Sequence, residues 1–133
     1  MGARENTALV EEYLTRIGKQ DPSFEKLLAD DVVWWVPPGS EAGGTYRGKA
    51  TVLDFIRSGS GKYSATAPFE ITIERVVADD EWAAVQLIID TKTADGRDYR
   101  NHYHIAFEIR DGEIVFAKEY PDTKYAHDVF AQE

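Results

Sequence analysis

The stretch RNHYHIAFEIRDGEIVFAKEYPD, residues 100–122, decides the fold of this chain, because an Asp-Gly pair sits between two runs of alternating apolar residues. Asp-Gly is the preferred pair for a two-residue hairpin turn, which fixes the side chains that oppose one another. With Asp111-Gly112 as the turn, paired positions add up to a constant. Phe107 then faces Phe116, Tyr103 faces Tyr120 and Asn101 faces Asp122. Side chains alternate across a strand, so these residues share one face, together with Ile105 and Lys118. His102, His104 and Glu108 fall on the other, against Pro121, Glu119 and Val115. The first face is apolar with a polar end at Asn101, Tyr103, Tyr120 and Asp122, and that end reads as the mouth of a pocket.

Working outward, Asn6 or Thr7 is expected to cap a first helix carrying Leu9, Val10, Tyr13, Leu14 and Ile17 at helical spacing, ended by Gly18. Asp21-Pro22-Ser23 starts a short second helix that buries Phe24, Leu27 and Leu28. Val32 to Val36 forms a strand stopped by Pro37-Pro38-Gly39, and Ser40 to Gly48 reads as a loop. A third helix, from about Lys49 to Arg57, turns Val52, Leu53, Phe55 and Ile56 to the core. Three strand runs follow: Phe69 to Ala78, Trp82 to Thr93, and the opening hairpin. Helices first and strands after predict an α+β fold, with about three N-terminal helices on one face of a curved, mostly antiparallel sheet and a cone-shaped cavity between them. Residues 1–133 read as a single domain.

Composition removes several functions. Fifteen basic against 24 acidic side chains leave a net charge of −9 with no basic stripe, which argues against nucleic acid. With no cysteine, disulfides and thiolate chemistry are excluded. No apolar run has the length of a membrane span, and the amino terminus lacks the apolar core of a signal peptide, so a cytoplasmic protein without membrane contact is expected.

The segments Phe24 to Trp34, Gly48 ahead of the third helix, Arg110-Asp111-Gly112-Glu113-Ile114 and Glu119-Tyr120-Pro121-Asp122-Thr123 resemble the SnoaL-like branch of the nuclear transport factor 2-like superfamily, which also holds ketosteroid isomerases and limonene epoxide hydrolases. The resemblance spans nearly the whole chain and implies the cone fold; it says little about the reaction. Against the ketosteroid isomerases, Tyr13 matches the tyrosine that donates to the substrate oxyanion. The place of the general-base aspartate is taken by Val36, and that of the second oxyanion donor by Ile105. Valine and isoleucine move no protons. The epoxide hydrolase set has no convincing match. In SnoaL-like cyclases an acid/base aspartate on the last strand resembles Asp122, which apolar neighbours such as Trp34 would push toward neutrality.

The expected site therefore has Asp122 and Tyr13 as catalytic groups, with Trp34, Val36, Phe55, Asn101, Tyr103, Ile105, Lys118 and Tyr120 around a small ligand. Capping and core packing are the competing readings for Asp122 and the tyrosines. Lys118, opposite Ile105, is either a Schiff-base amine or a lysine that reaches out to solvent. His102 and His104 have a spacing that some metal sites use, with Glu119 as the better third ligand. The reading preferred here is a His104 to Glu119 pair at a homodimer interface on the outer sheet face, with no metal. Two functions follow: a cofactor-independent cyclase, isomerase, dehydratase or epoxide hydrolase acting on a largely apolar, oxygen-bearing molecule, or a non-catalytic ligand-binding or dimerisation domain.

Overall fold

A computed structural model describes residues 2–131. In chain order it contains α1 (Ala3–Gly18), a 3₁₀ turn (Pro22–Leu27), β1 (Leu28–Val36), β2 (Gly44–Arg47), α2 (Lys49–Ser60), β3 (Glu70–Ala78), β4 (Trp82–Lys92), β5 (Asp98–Arg110), β6 (Glu113–Pro121) and α3 (Thr123–Phe130). The strands form one sheet in the order β2-β1-β6-β5-β4-β3, antiparallel except for the β1–β6 pair. The α+β cone is thus the observed architecture, with α1 packed on β3 and β4 and α2 on β1.

The inner face of the sheet makes the core. Trp34 and Val36 from β1, Val85 and Leu87 from β4, Ile105 and Phe107 from β5, and Ile114 and Ala117 from β6 close on Val10, Tyr13 and Leu14 from α1. Three rings crowd Tyr13: Phe107 at 5.7 Å, Phe24 at 6.1 Å and Trp34 at 6.1 Å between centroids. Such burial supplies most of the folding free energy.

Three local expectations are corrected. Helix α1 begins at Ala3, not at Asn6 or Thr7; Asn6 instead lies fully buried inside it and donates to the Asp79 carbonyl at 3.0 Å, tying the helix to the β3–β4 turn. The stretch read as a loop contains β2, held by pairing with β1 and by the Tyr46 ring stacked 4.2 Å from Phe55. Helix α3 follows directly on β6, and nothing in the sequence reading anticipated it.

The largest correction lies in the hairpin. Asp111 and Gly112 both have positive φ, 54° and 76°, as the two-residue turn requires. Next to the turn the expected register holds, with Arg110 opposite Glu113 and Ile109 opposite Ile114. Beyond it Glu108 faces Phe116, Ile105 faces Glu119 and Tyr103 faces Pro121. One extra residue, Val115, is accommodated in β6 as a bulge, and because the side-chain period is two, every later side chain changes face. Lys118 and Tyr120, expected in the pocket, lie on the outer face. Glu119, expected outside, points in.

Candidate functional site

A cavity of about 410 Å³ opens at the wide end of the cone, between the inner face of the sheet, α3 and the loop joining β1 to β2. Its volume is within the usual range for small-molecule sites. Val36, Phe55 and Phe130 form apolar walls, while Tyr63, Tyr99, Tyr103 and Glu119 bring oxygen atoms to it.

Glu119 is a carboxylate that the sheet drives inward, as a direct result of the Val115 bulge. Its Oε1 accepts a hydrogen bond from Trp34 Nε1 at 2.9 Å. Some of its surface remains accessible, as befits a side chain that lines a cavity, yet protein surrounds it closely enough to raise its pKa from 4.5 to about 7. The cause is loss of hydration, partly offset by the indole donor; no cationic side chain contributes. Near neutral pH both protonation states are therefore populated, which suits a group that takes up and returns a proton.

The tyrosines form the polar wall. Tyr99 and Tyr103 share a hydrogen bond between hydroxyls at 2.6 Å, and Asn101 Nδ2 donates to the Tyr99 hydroxyl at 2.8 Å. Tyr63 packs 5.4 Å from the Tyr99 ring. Burial raises the pKa of Tyr63, Tyr99 and Tyr103, and the charge of Glu119 adds to the rise; the neighbouring phenols push Tyr103 up but hold Tyr99 down through their hydrogen bonds. All three hydroxyls thus stay protonated; one proton is spent in the Tyr99–Tyr103 bond, and the remaining hydroxyls of the cluster can donate to a ligand oxygen.

Helix α3 is fastened over the opening at both ends. Asp122 Oδ1 accepts from the Tyr125 backbone N–H at 3.1 Å as the helix cap, and the Arg97 guanidinium donates to the Val129 carbonyl at the far end. Across the mouth, His127 Nδ1 lies 2.7 Å from Glu41 Oε1.

The structure brings together only part of the expected site. Val36, Phe55 and Tyr103 line the cavity. Trp34 points inward beside Glu119, and Ile105 belongs to the core. Asn101 is buried behind the wall, holding Tyr99 and the Asp122 carbonyl. Tyr13 is packed under the cavity among aromatic rings, with no hydrogen bond to its hydroxyl among the described residues. Asp122 is exposed and caps α3 rather than entering the cavity. Lys118 sits on the outer face with its ammonium 4.8 Å above the Trp35 ring and 5.7 Å from that of Tyr120. His102 and His104 are exposed on the same outer face, but His104 faces Tyr120, so the His104 to Glu119 pair does not form. Among the described residues no three histidine or acidic side chains come together as metal ligands.

Three residues that line the cavity are not picked out by the sequence pattern. A regular hairpin register puts Glu119 on the outer face, since no residue in 113–118 announces a bulge. Tyr99 has the parity of Asn101 and Tyr103 and was legible by extending the strand back one residue. Tyr63 lies in a Gly- and Ser-rich segment that offers no pattern.

A six-stranded cone with an acid-bearing cavity at its wide end is the nuclear transport factor 2-like fold. A SnoaL-like domain model matches residues 10–117, and the chain belongs to that family. The search of curated proteins finds no match. Among solved structures, a Bacillus subtilis protein with a provisional isomerase name is 20% identical, with 98% of this chain and 95% of that one covered at a TM-score of 0.83. A nuclear transport factor 2-like protein of unknown function from Burkholderia pseudomallei is 22% identical, covering 96% and 98%, with a TM-score of 0.82. Bal32a, from a soil-derived mobile gene cassette, is 19% identical, covering 98% of each chain, also at 0.82. At these identities the likeness concerns the fold alone.

Proposed function

We propose that this protein is a cofactor-independent acid–base enzyme acting on a small, largely apolar molecule that carries a carbonyl or hydroxyl oxygen. One observation carries the reading: Glu119 is a closely surrounded carboxylate lining the cavity, with the Trp34 indole as its one side-chain hydrogen-bond donor among the described residues. A carboxylate that served only to hold the fold would be better satisfied. In this reading Glu119 removes a proton from the ligand and returns it at another position, while a hydroxyl of the Tyr63, Tyr99 and Tyr103 cluster donates to the ligand oxygen as negative charge develops there. Only proton transfers are involved, so atoms balance without a co-reactant. On the resemblance to the steroid isomerases, Val36 and Ile105 take the places of those enzymes' acids, and in this reading the chemistry is centred on β6 and not on β1.

The test is hydrogen exchange at carbon. Bicyclic ketones such as 2-tetralone are incubated with the protein in D2O, and loss of the α-proton signal is followed by NMR. Exchange faster with the native protein than with Glu119→Gln, for at least one ketone of the panel, is expected. Equal rates for the two proteins across the panel refute the assignment.

The outer sheet face supports a second proposal, a homodimer. Tyr120 is 42% exposed and Trp82 36%, and they share this face with Trp35, Phe116, His102 and His104, an aromatic surface unusual for a lone subunit. Sedimentation equilibrium showing a monomer at micromolar concentration would remove it.

A further inference from the structure

Trp34 is placed by the sheet and not by chance contact. On the parallel β1–β6 pair it sits opposite Ala117, so Glu119, two residues on, is its diagonal neighbour on the same face. Its ring is clamped by Tyr13 at 6.1 Å and Phe107 at 5.9 Å, which fixes the direction of the N–H bond. The indole is a donor that cannot accept, so the bond to Glu119 runs one way only.

We infer that Trp34 is the positioning residue of the site: its N–H engages Oε1 of Glu119 and leaves Oε2 as the oxygen that exchanges protons with the ligand. When Glu119 is protonated, Oε1 is occupied as an acceptor, so the acidic proton resides on Oε2. Trp34 thereby selects the reactive oxygen, and its N–H offsets part of the effect of lost hydration on Glu119. The titratable groups that face Glu119 are Tyr13 from α1, Tyr63 from the segment after α2, and Tyr99 and Tyr103 from β5, all neutral phenols. The charged side chains Glu41, Lys62, Lys124, His127 and Asp128 line the cavity nearer its mouth. On β1, Trp34 and Val36 carry no charge.

The catalytic meaning rests on Glu119 as the proton-transfer group, but the test reads Glu119 without substrate. In protein carrying 13C-labelled glutamate carboxyls, the resonance absent from Glu119→Gln is followed against pH. Native Glu119 is expected to titrate near pH 7. Trp34→Phe keeps an aromatic ring and removes the N–H, and should move the midpoint upward by about one pH unit, the loss expected for one hydrogen bond to a carboxylate. An unchanged or lowered midpoint overturns the inference. Should Trp34→Phe not fold, the native protein decides: an indole N–H resonance must titrate with the same midpoint as Glu119 and lose that titration in Glu119→Gln, and an indole set that does not titrate overturns it. A titrating pair without any ketone exchange would refute the enzymatic reading while leaving this one standing, and exchange that needs Glu119 but not the indole would do the reverse.

Discussion

Glu119→Gln is expected to stabilise the protein, and only at high pH. The side chain holds its proton up to about pH 7 in the folded protein, against an ordinary value of 4.5. Between these two values the folded state carries a proton that the unfolded chain has released, so stability falls as pH rises. The contribution is fully present below pH 4.5 and is lost once the pH passes about 7. The gap, 7 minus 4.5, corresponds to roughly 3 kcal/mol at 1.36 kcal/mol per pKa unit. Water entering the cavity reduces this toward about 2 kcal/mol. Glutamine keeps an oxygen for the Trp34 N–H and has no charge to desolvate. Urea unfolding of the two proteins at pH 4.5 and 8.5 should therefore give an advantage to the variant that grows by about 2 kcal/mol between them, or roughly 5–10 °C in melting temperature. A stability difference that does not change with pH would show that Glu119 titrates like an exposed carboxylate, and the reasoning about the site would fall with it.

Other expectations follow from the same geometry. Asp122→Asn keeps a good helix cap, so both the stability and the ketone exchange rate should match the native protein; loss of exchange at native stability would return Asp122 to the mechanism. Tyr103→Phe removes the hydroxyl bonded to Tyr99 and should lower exchange by about a hundredfold if the cluster binds the developing oxyanion, at a stability cost of about 1 kcal/mol, read by NMR and urea titration. Deleting Val115 takes out the extra residue and leaves Phe116 to Pro121 opposite the β5 residues they already face. Glu119 should therefore stay inward and still titrate near pH 7, whereas a return of its carboxyl to the ordinary range would mean that the bulge itself is needed to hold that face.

Much of this protein could be read from its residues alone. Helix α1, the turn capped by Asp21 and the strands followed from apolar periodicity and from Pro and Gly punctuation, because these effects act over a few residues. The Asp111-Gly112 turn was legible for the same reason, and so were the inward positions of Val36, Phe55 and Tyr103. Helix α3 was missed because its residues carry a short, weak pattern; Asp122 caps it, and its far end is held by the distant Arg97. Strand β2 needed β1 and the ring of Phe55 to form.

The order of residues alone sets which groups are available: an acidic chain without cysteine, a hairpin with a fixed turn, and one aromatic-rich cone. Which of its many carboxylates faces the cavity was decided by tertiary structure. The parallel pairing of β6 with β1 and its antiparallel pairing with β5 accommodate Val115 as a bulge, and a displacement of one residue in a period of two exchanges Lys118 and Tyr120 for Glu119. Local propensity has no means of recording that exchange, since the residues on either side of the bulge are equally good strand formers in both registers.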